Sequence, residues 1–309
     1  MLTAENQSIQ KKPQVLEPFI GNTPLFPVNG LNKNDKVKIF AKLEWMQCGN
    51  SVKARPAFNI IKQAIADGDL SEGRHLLDAS SGNTGVAYAG IAAALDIPFT
   101  LCIPENASST KIAALKAFGA NLIFTSKYDL TDGAQEKALE LQAENPGKYF
   151  YADQYANDNN WKAHFKTTGP EIYKQSNEKV THFIAGVGTT GTFTGTARAL
   201  KEKNENIQVI ALHPDSALHG LEGWKDLNTA KIPTFYDAEL ADENWKASTE
   251  KAYEYVKLAG EKLGLMLSPS SAANLSGAVQ LADQLHAGVI VTIFPDHGSN
   301  YPEVMKEIF

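Results

Sequence analysis

The sequence predicts an α/β protein with parallel sheets, and three observations carry that prediction. Short apolar runs alternate with longer helical patterns over most of the length. Loops rich in glycine and hydroxyls stand where runs of this kind give way to helices, the edge of a parallel sheet at which helix N-termini converge on a ligand. With 309 residues, 43% apolar and 21% charged, the chain can bury a sizeable core and is expected to form two domains rather than one.

Val37 to Leu43 reads as a strand and Pro56 to Ala66 as a helix with proline in its first turn. Leu76-Leu77 is a short strand, Thr84 to Leu95 a helix, Phe99 to Ile103 a strand, and Thr110 to Phe118 a helix that Gly119 stops. Leu122 to Phe124 is a strand and Gly133 to Glu144 a helix. Asn157 to Asn160 is a polar loop suited to a chain crossing between domains. The alternation resumes with strand His182 to Ala185, helix Thr192 to Lys203 and strand Val209 to Leu212. Helices Thr249 to Leu263 and Ala272 to Leu285 precede a last strand, Val289 to Phe294.

A net charge of -6 gives no broad attraction to nucleic acid or to an anionic membrane, so any anion site is local. Apolar stretches such as Val86 to Leu95 fall well short of the roughly 20 residues a membrane helix needs. The polar start, Met1 to Gln7, has no signal-peptide core and reads as a loose arm. Cys48 and Cys102 provide neither a disulfide framework nor paired zinc ligands, which fits a reducing cytoplasm. His75, His164, His182 and His286 are scattered without metal spacing, and no metal is expected.

Three loops carry the chemistry. Lys53, in Asn50-Ser51-Val52-Lys53-Ala54-Arg55-Pro56, stands before a helix N-terminus, where the macrodipole and Arg55 disfavour an ammonium ion and favour an imine-forming amine. Taken alone, a solvent-facing lysine is the simpler account. Ser80-Ser81-Gly82-Asn83-Thr84-Gly85 offers hydroxyls, an amide and backbone N–H groups to a carboxylate, or else serves as a helix cap. Gly186-Val187-Gly188-Thr189-Thr190-Gly191-Thr192 suits a phosphate; it also satisfies G-x-G-x-x-G, with Asp215 further on, so a dinucleotide-binding dehydrogenase is the main competing class.

Together these loops resemble the cysteine synthase, or O-acetylserine sulfhydrylase, family of fold type II pyridoxal-phosphate enzymes, with the sulfhydrylase B type a close relative. The resemblance spans almost the whole chain. It includes Gly21-Asn22-Thr23-Pro24-Leu25, Lys42-Leu43-Glu44, Ser51-Val52-Lys53, Ser81-Gly82-Asn83-Thr84-Gly85, Asp153-Gln154, Thr167-Thr168-Gly169-Pro170-Glu171-Ile172 and Gly188-Thr189-Thr190-Gly191-Thr192. It implies two three-layer domains of tryptophan synthase β type: a smaller mobile domain over residues 46–156, and a larger one formed by residues 1–45 and 157–309.

It further implies pyridoxal 5'-phosphate as cofactor, with Lys53 forming the imine and moving protons at the α-carbon. Asn83 matches the group at the cofactor's 3-hydroxyl, and Gly188, Thr189, Thr190, Gly191 and Thr192 match the phosphate loop. Ser80, Ser81, Gly82, Thr84 and Gln154 match the groups that hold the substrate carboxylate. Ser270, in Leu267-Ser268-Pro269-Ser270-Ser271-Ala272, matches the partner of the pyridine nitrogen, although a helix cap is its alternative. A neutral hydroxyl there makes the ring a weaker electron sink than a carboxylate would, which favours loss of a β-substituent over transamination.

The implied reaction is β-replacement on O-acetylserine or a related serine derivative, with sulfide or another sulfur nucleophile, in a cytoplasmic homodimer. Cystathionine or diaminopropionate synthesis and cysteine breakdown use the same cofactor grip, and a non-catalytic binding protein on this fold is a further class. Four departures from the family pattern bear on the substrate: Gln47-Cys48-Gly49-Asn50 before the lysine, Ala54 where acids are common, His219-Gly220-Leu221-Glu222-Gly223-Trp224, and Asp296-His297-Gly298-Ser299-Asn300-Tyr301. His219, Trp224 and His297 are candidate selectors of the second substrate.

Overall fold

Runs that are apolar throughout become strands covered on both faces, and segments with an apolar stripe become the covering helices. The structure, a computed structural model, describes residues 12–71 and 73–309; the polar start read as a loose arm lies outside them. In chain order the elements are α1 (Pro13–Leu16), β1 (Leu25–Val28), β2 (Val37–Leu43), α2 (Ala54–Asp67), β3 (His75–Ala79), α3 (Asn83–Ala94), β4 (Phe99–Pro104), α4 (Ser109–Ala117), β5 (Asn121–Thr125) and α5 (Leu130–Glu144). There follow β6 (Tyr149–Tyr151), α6 (Asn159–Lys166), α7 (Thr168–Gln175), β7 (His182–Gly186), α8 (Gly191–Lys203), β8 (Gln208–Pro214), β9 (Glu243–Ala247), α9 (Thr249–Leu263), α10 (Pro269–Ala282), β10 (Gly288–Phe294) and α11 (Pro302–Ile308). No helix among the described residues is long and apolar enough to cross a membrane.

The chain divides into two compact units, the smaller comprising the segment that ends at Gly21, Gln47–Gly49 and Lys53–Asn160. Its sheet is parallel throughout, in the order β5-β4-β3-β6. Alternation along the strands sends Leu76, Leu101 and Ile103 to one face, against Ala57 and Ile61 of α2 and Ala92 of α3. Leu77, Ala79 and Cys102 go to the other face, against Ala134 and Ala138 of α5. Burial on both faces is why these strands read as continuous apolar runs. Cys102 behaves as a small core residue, its thiol pushed up to about 12 by burial.

The larger unit comprises Asn22–Met46, Asn50–Val52 and Trp161–Phe309. Its sheet runs β1-β2-β10-β7-β8-β9, antiparallel only between β1 and β2. Ile184, Leu212 and Ile290 pack on Val256 of α9 and Ala278 of α10. On the opposite face Phe183, Val209 and Val291 pack on Ile172 of α7 and on Phe193 and Ala197 of α8. Each unit is thus a three-layer α/β body, as the sequence predicts.

Two findings depart from or refine the sequence reading. Residues 13–21 belong with the smaller unit and not with the larger one: Leu16 and Ile20 pack against its core. Backbone bonds fix the segment there, the Cys48 N–H donating to the Phe19 carbonyl at 3.0 Å and the Gly21 N–H to Gln47 Oε1 at 2.8 Å. Secondly, three of the family-like blocks serve the fold. Buried Lys42 donates to the Thr23 carbonyl at 2.6 Å, to Glu171 Oε2 at 2.8 Å and to Gln175 Oε1 at 2.9 Å, while Thr23 Oγ1 donates to Glu44 Oε1 at 2.7 Å. A buried ammonium needs such a complete set of acceptors.

Candidate functional site

In the smaller unit Lys53 is the N-cap of α2, half-buried, with helical backbone angles of -73° and -13°. Its carbonyl accepts from the Ala57 N–H at 3.1 Å. The helix starts at Ala54, earlier than the expected Pro56, which still falls in the first turn, where its missing N–H leaves no bond unmade. Ala54 is fully buried, and a Cβ on Gly49, whose φ is +90°, would stand 2.9 Å from the Ala54 Cβ. Gly49 therefore has to be glycine for the turn to close on Ala54; the departure at position 54 itself has no structural explanation.

β3 leads straight into the second loop. Ser80 is buried and its Oγ accepts from the Gly82 N–H at 3.1 Å, closing a tight turn. Gly82 is the N-cap of α3 and no side chain caps the helix there, so Asn83 and Thr84 open the helix and do not cap it. Thr84 Oγ1 donates to Gln154 Oε1 at 2.8 Å, which brings together two residues 70 positions apart. Asn160 Nδ2 holds the Gln154 carbonyl at 2.6 Å, and Ser81 Oγ lies 3.4 Å from Thr131 Oγ1.

Just before this loop Asp78 is fully buried, its Oδ1 accepting from the Ala79 N–H at 2.8 Å. Its Oδ2 and the buried Tyr88 hydroxyl face each other closely enough to interact, although neither makes a hydrogen bond of good geometry. Burial holds the Asp78 carboxyl well above the usual carboxylate range; the Ala79 N–H and the Tyr88 hydroxyl oppose the shift and Asp153 adds to it.

In the larger unit β7 runs into the loop from Gly186 to Thr192. A Cβ on Gly186 would lie 1.9 Å from the Trp224 ring, and one on Gly188 would lie 2.0 Å from the Gly223 carbonyl. Packing of the 219–224 loop thus explains two glycines of the G-x-G-x-x-G match, and the dinucleotide reading loses its main support. Thr190, the N-cap of α8, is a β-branched residue held at φ +63°; its Oγ1 is buried without a hydrogen-bond partner. Thr192 Oγ1 is 3.3 Å from Nε2 of fully buried His164, whose Nδ1 is 2.8 Å from Thr168 Oγ1. His164 comes this close because Gly195 has no Cβ, which would stand 2.0 Å from the Trp161 carbonyl. No motif marks His164 in the sequence.

Ser270 is not a cap. Ser268 caps α10, its Oγ accepting from the Ser271 N–H at 3.2 Å, and Ser270 sits in the first turn, 2% exposed. Its Oγ is 3.2 Å from Ser268 Oγ and 3.5 Å from Asp296 Oδ1. Tyr301 donates its hydroxyl to Asp296 Oδ2, and Ser271 Oγ donates to the Asp296 carbonyl at 2.8 Å, so the Asp–Tyr pair of the last loop frames this helix start.

The candidate selectors fare differently. Trp224 is a core residue, buried against Gly186, and is withdrawn as a selector. His219 accepts from the Leu221 N–H at 3.1 Å and is half-buried; burial lowers its pKa, against Asp226, Glu222 and Asp215, which raise it. His297 lies edge-on to Trp45 at 5.5 Å, with Nδ1 2.8 Å from Ser299 Oγ.

The family model described as pyridoxal-phosphate dependent enzyme matches residues 16–296. A cysteine synthase of Aquifex aeolicus is 41% identical over 308 residues, covering 97% of this chain and 94% of its own. An O-acetylserine dependent cystathionine beta-synthase of Bacillus subtilis is 34% identical over 300 residues, covering 94% of this chain and 96% of its own. The crystal structure of the cysteine synthase of Entamoeba histolytica matches with a TM-score of 0.89 at 32% identity, covering 95% of this chain and 90% of that one.

Proposed function

The chain belongs to the family of pyridoxal-phosphate-dependent enzymes, and from that premise we propose that it replaces the β-substituent of O-acetylserine, or a related serine derivative, with sulfide or another sulfur nucleophile to form cysteine. The residues present fit the cofactor. A buried, unpartnered hydroxyl at a helix N-terminus, that of Thr190, is suited to a phosphate oxygen, and Gly188, Thr189, Gly191 and Thr192 complete its loop. Ser270 serves the ring nitrogen and Asn83 the 3-hydroxyl, and the Lys53 amine is the covalent anchor.

When bound, the cofactor supplies the electron sink that stabilises negative charge at the substrate's α-carbon. Ser80, Ser81, Gly82, Thr84 and Gln154 hold the α-carboxylate, and the bond between Thr84 and Gln154 orients both side chains in advance. Lys53, displaced by the substrate amine, takes the α-proton as the β-substituent leaves and returns a proton to the α-carbon once the nucleophile has added. Ser270 offers the ring nitrogen a neutral hydroxyl in place of a fixed charge, which favours β-loss over transamination.

Ser270 is the observation that carries this reading: a buried hydroxyl, not used as a cap, on a helix that packs against β7 and β10. The test is cysteine formation from O-acetylserine and sulfide by the purified chain. Stoichiometric release of acetate with cysteine supports the proposal, whereas a cofactor-loaded chain that makes no cysteine contradicts it. A second reading, addition of a larger thiol to form cystathionine, is supported by the likeness to the Bacillus subtilis relative. Relative rates with sulfide and homocysteine separate the two. We also propose a cytoplasmic homodimer, supported by the low cysteine content and the family resemblance, with sedimentation as the check.

A further inference from the structure

The sheet of the larger unit changes direction at one seam. β7 hands the chain through α8 to β8 on one side, while β9 leads through α9 and α10 back to β10 on the other side of β7. β10 and β7 pair through Ile290↔His182, Val291↔Phe183 and Thr292↔Ile184, and Thr292 Oγ1 donates to the Ile184 carbonyl at 2.7 Å on the last rung. Past that rung one side chain takes over from the ladder. Asn274 of α10, 1% exposed, accepts from the Gly186 N–H through Oδ1 at 2.7 Å and donates to the Ile293 carbonyl through Nδ2 at 2.7 Å. A side-chain amide is suited to this task because it accepts on one arm and donates on the other.

Gly186 is the root of the loop that ends at Thr192, and Asn274 lies one helical turn beyond Ser270 on the same face of α10. We propose that Asn274 is a positioning residue that sets the spacing between the phosphate loop and the Ser270 hydroxyl, so that one rigid ligand meets both ends at once. The inference rests on the proposed cofactor roles of those two ends. Each end keeps its own contacts without Asn274: Thr190 and Thr192 belong to the start of α8, and Ser270 is framed by Ser268 and Asp296. What the amide supplies is pre-organisation of the two ends relative to one another, and such geometry matters most to a ligand long enough to need both.

The experiment titrates the full-length chain and its Asn274→Ala variant, freed of cofactor, with pyridoxal 5'-phosphate, with pyridoxal, and with inorganic phosphate. In the variant, pyridoxal 5'-phosphate should bind about tenfold more weakly or worse, while pyridoxal and phosphate, each using one end, bind as to the parent chain. Unchanged affinity for pyridoxal 5'-phosphate overturns the inference, and so does equal weakening of all three, which would mark a merely structural role. Should the alanine variant not fold, hydrogen exchange in the parent chain decides: the Gly186 amide is expected to exchange slowly, and exchange at the rate of an open loop overturns the inference. A parent chain that binds neither phosphate nor pyridoxal 5'-phosphate would instead remove the cofactor assignment itself, and this inference with it.

Discussion

Thr190 and Asp78 each carry a local cost. Thr190 is held in a left-handed conformation that costs a non-glycine residue about 1 kcal/mol, and it buries a hydroxyl without a partner. Thr190→Gly should therefore be more stable than Thr190→Ala by about 1 kcal/mol in chemical denaturation, while both lose affinity for the cofactor phosphate. Asp78 has a folded-state pKa raised above its ordinary value of 3.8 by burial. The stability linked to that shift is present in full below the unfolded pKa and is lost as pH rises toward the folded one. Asp78→Asn, which never ionises, should gain on the parent chain as pH rises from the ordinary carboxylate range, then level off above the folded pKa. Urea unfolding across that range checks this, and parallel curves for the two proteins would contradict it. At this scale the sequence marked Lys53, Asn83, Thr84, Gln154, the threonines of the third loop and Ser270 through their motifs. It marked neither His164 nor Asn274, because a side chain that supports a loop from another helix carries no local pattern. Trp224 was misread for the converse reason: an aromatic in a glycine-rich loop looks exposed until its packing partner, Gly186, is known.

Among the elements, those buried on both faces were the most legible, β4 and β10 above all, since a continuous apolar run leaves few alternatives. The elements missed are short or at an edge. β1 contains Pro27, tolerable because the strand pairs on one side only, and β9 is a largely exposed edge strand of polar composition. α6 begins inside the asparagine run that reads as a loop, and α7 carries glycine and proline in its first turn, which weakens its helical pattern; Gly169 lies where a Cβ would come within 2.4 Å of the Ala199 Cβ, a contact formed only by folding. Lys42 ties β2 to α7 through Glu171 and Gln175. Replacing it by Met should remove the ammonium that Glu171, Gln175 and the Thr23 carbonyl share, and destabilise the chain by about 3 kcal/mol in thermal or urea unfolding. Retention of parental stability would contradict a structural role for the Lys42 ammonium.

For the whole molecule, the alternation of strands and helices was enough to predict α/β architecture, but the partition into units was not local information. Residues 13–21 join the smaller unit through Leu16 and Ile20, in a short stretch with other apolar side chains that no sequence window assigns to one core or the other. The order of the motif blocks, in contrast, extends over nearly the full length and matches a family model across residues 16–296. The central claim is that Lys53 anchors the cofactor and moves the α-proton of a β-replacement. Its most direct measurement is the visible spectrum of the purified chain and of Lys53→Ala, before and after O-acetylserine, with cysteine formation followed on adding sulfide. The account predicts a visible band in the parent chain that shifts with O-acetylserine and returns with sulfide, and loss of both the band and turnover in the variant. A Lys53→Ala protein that keeps the parental band and still makes cysteine would contradict it.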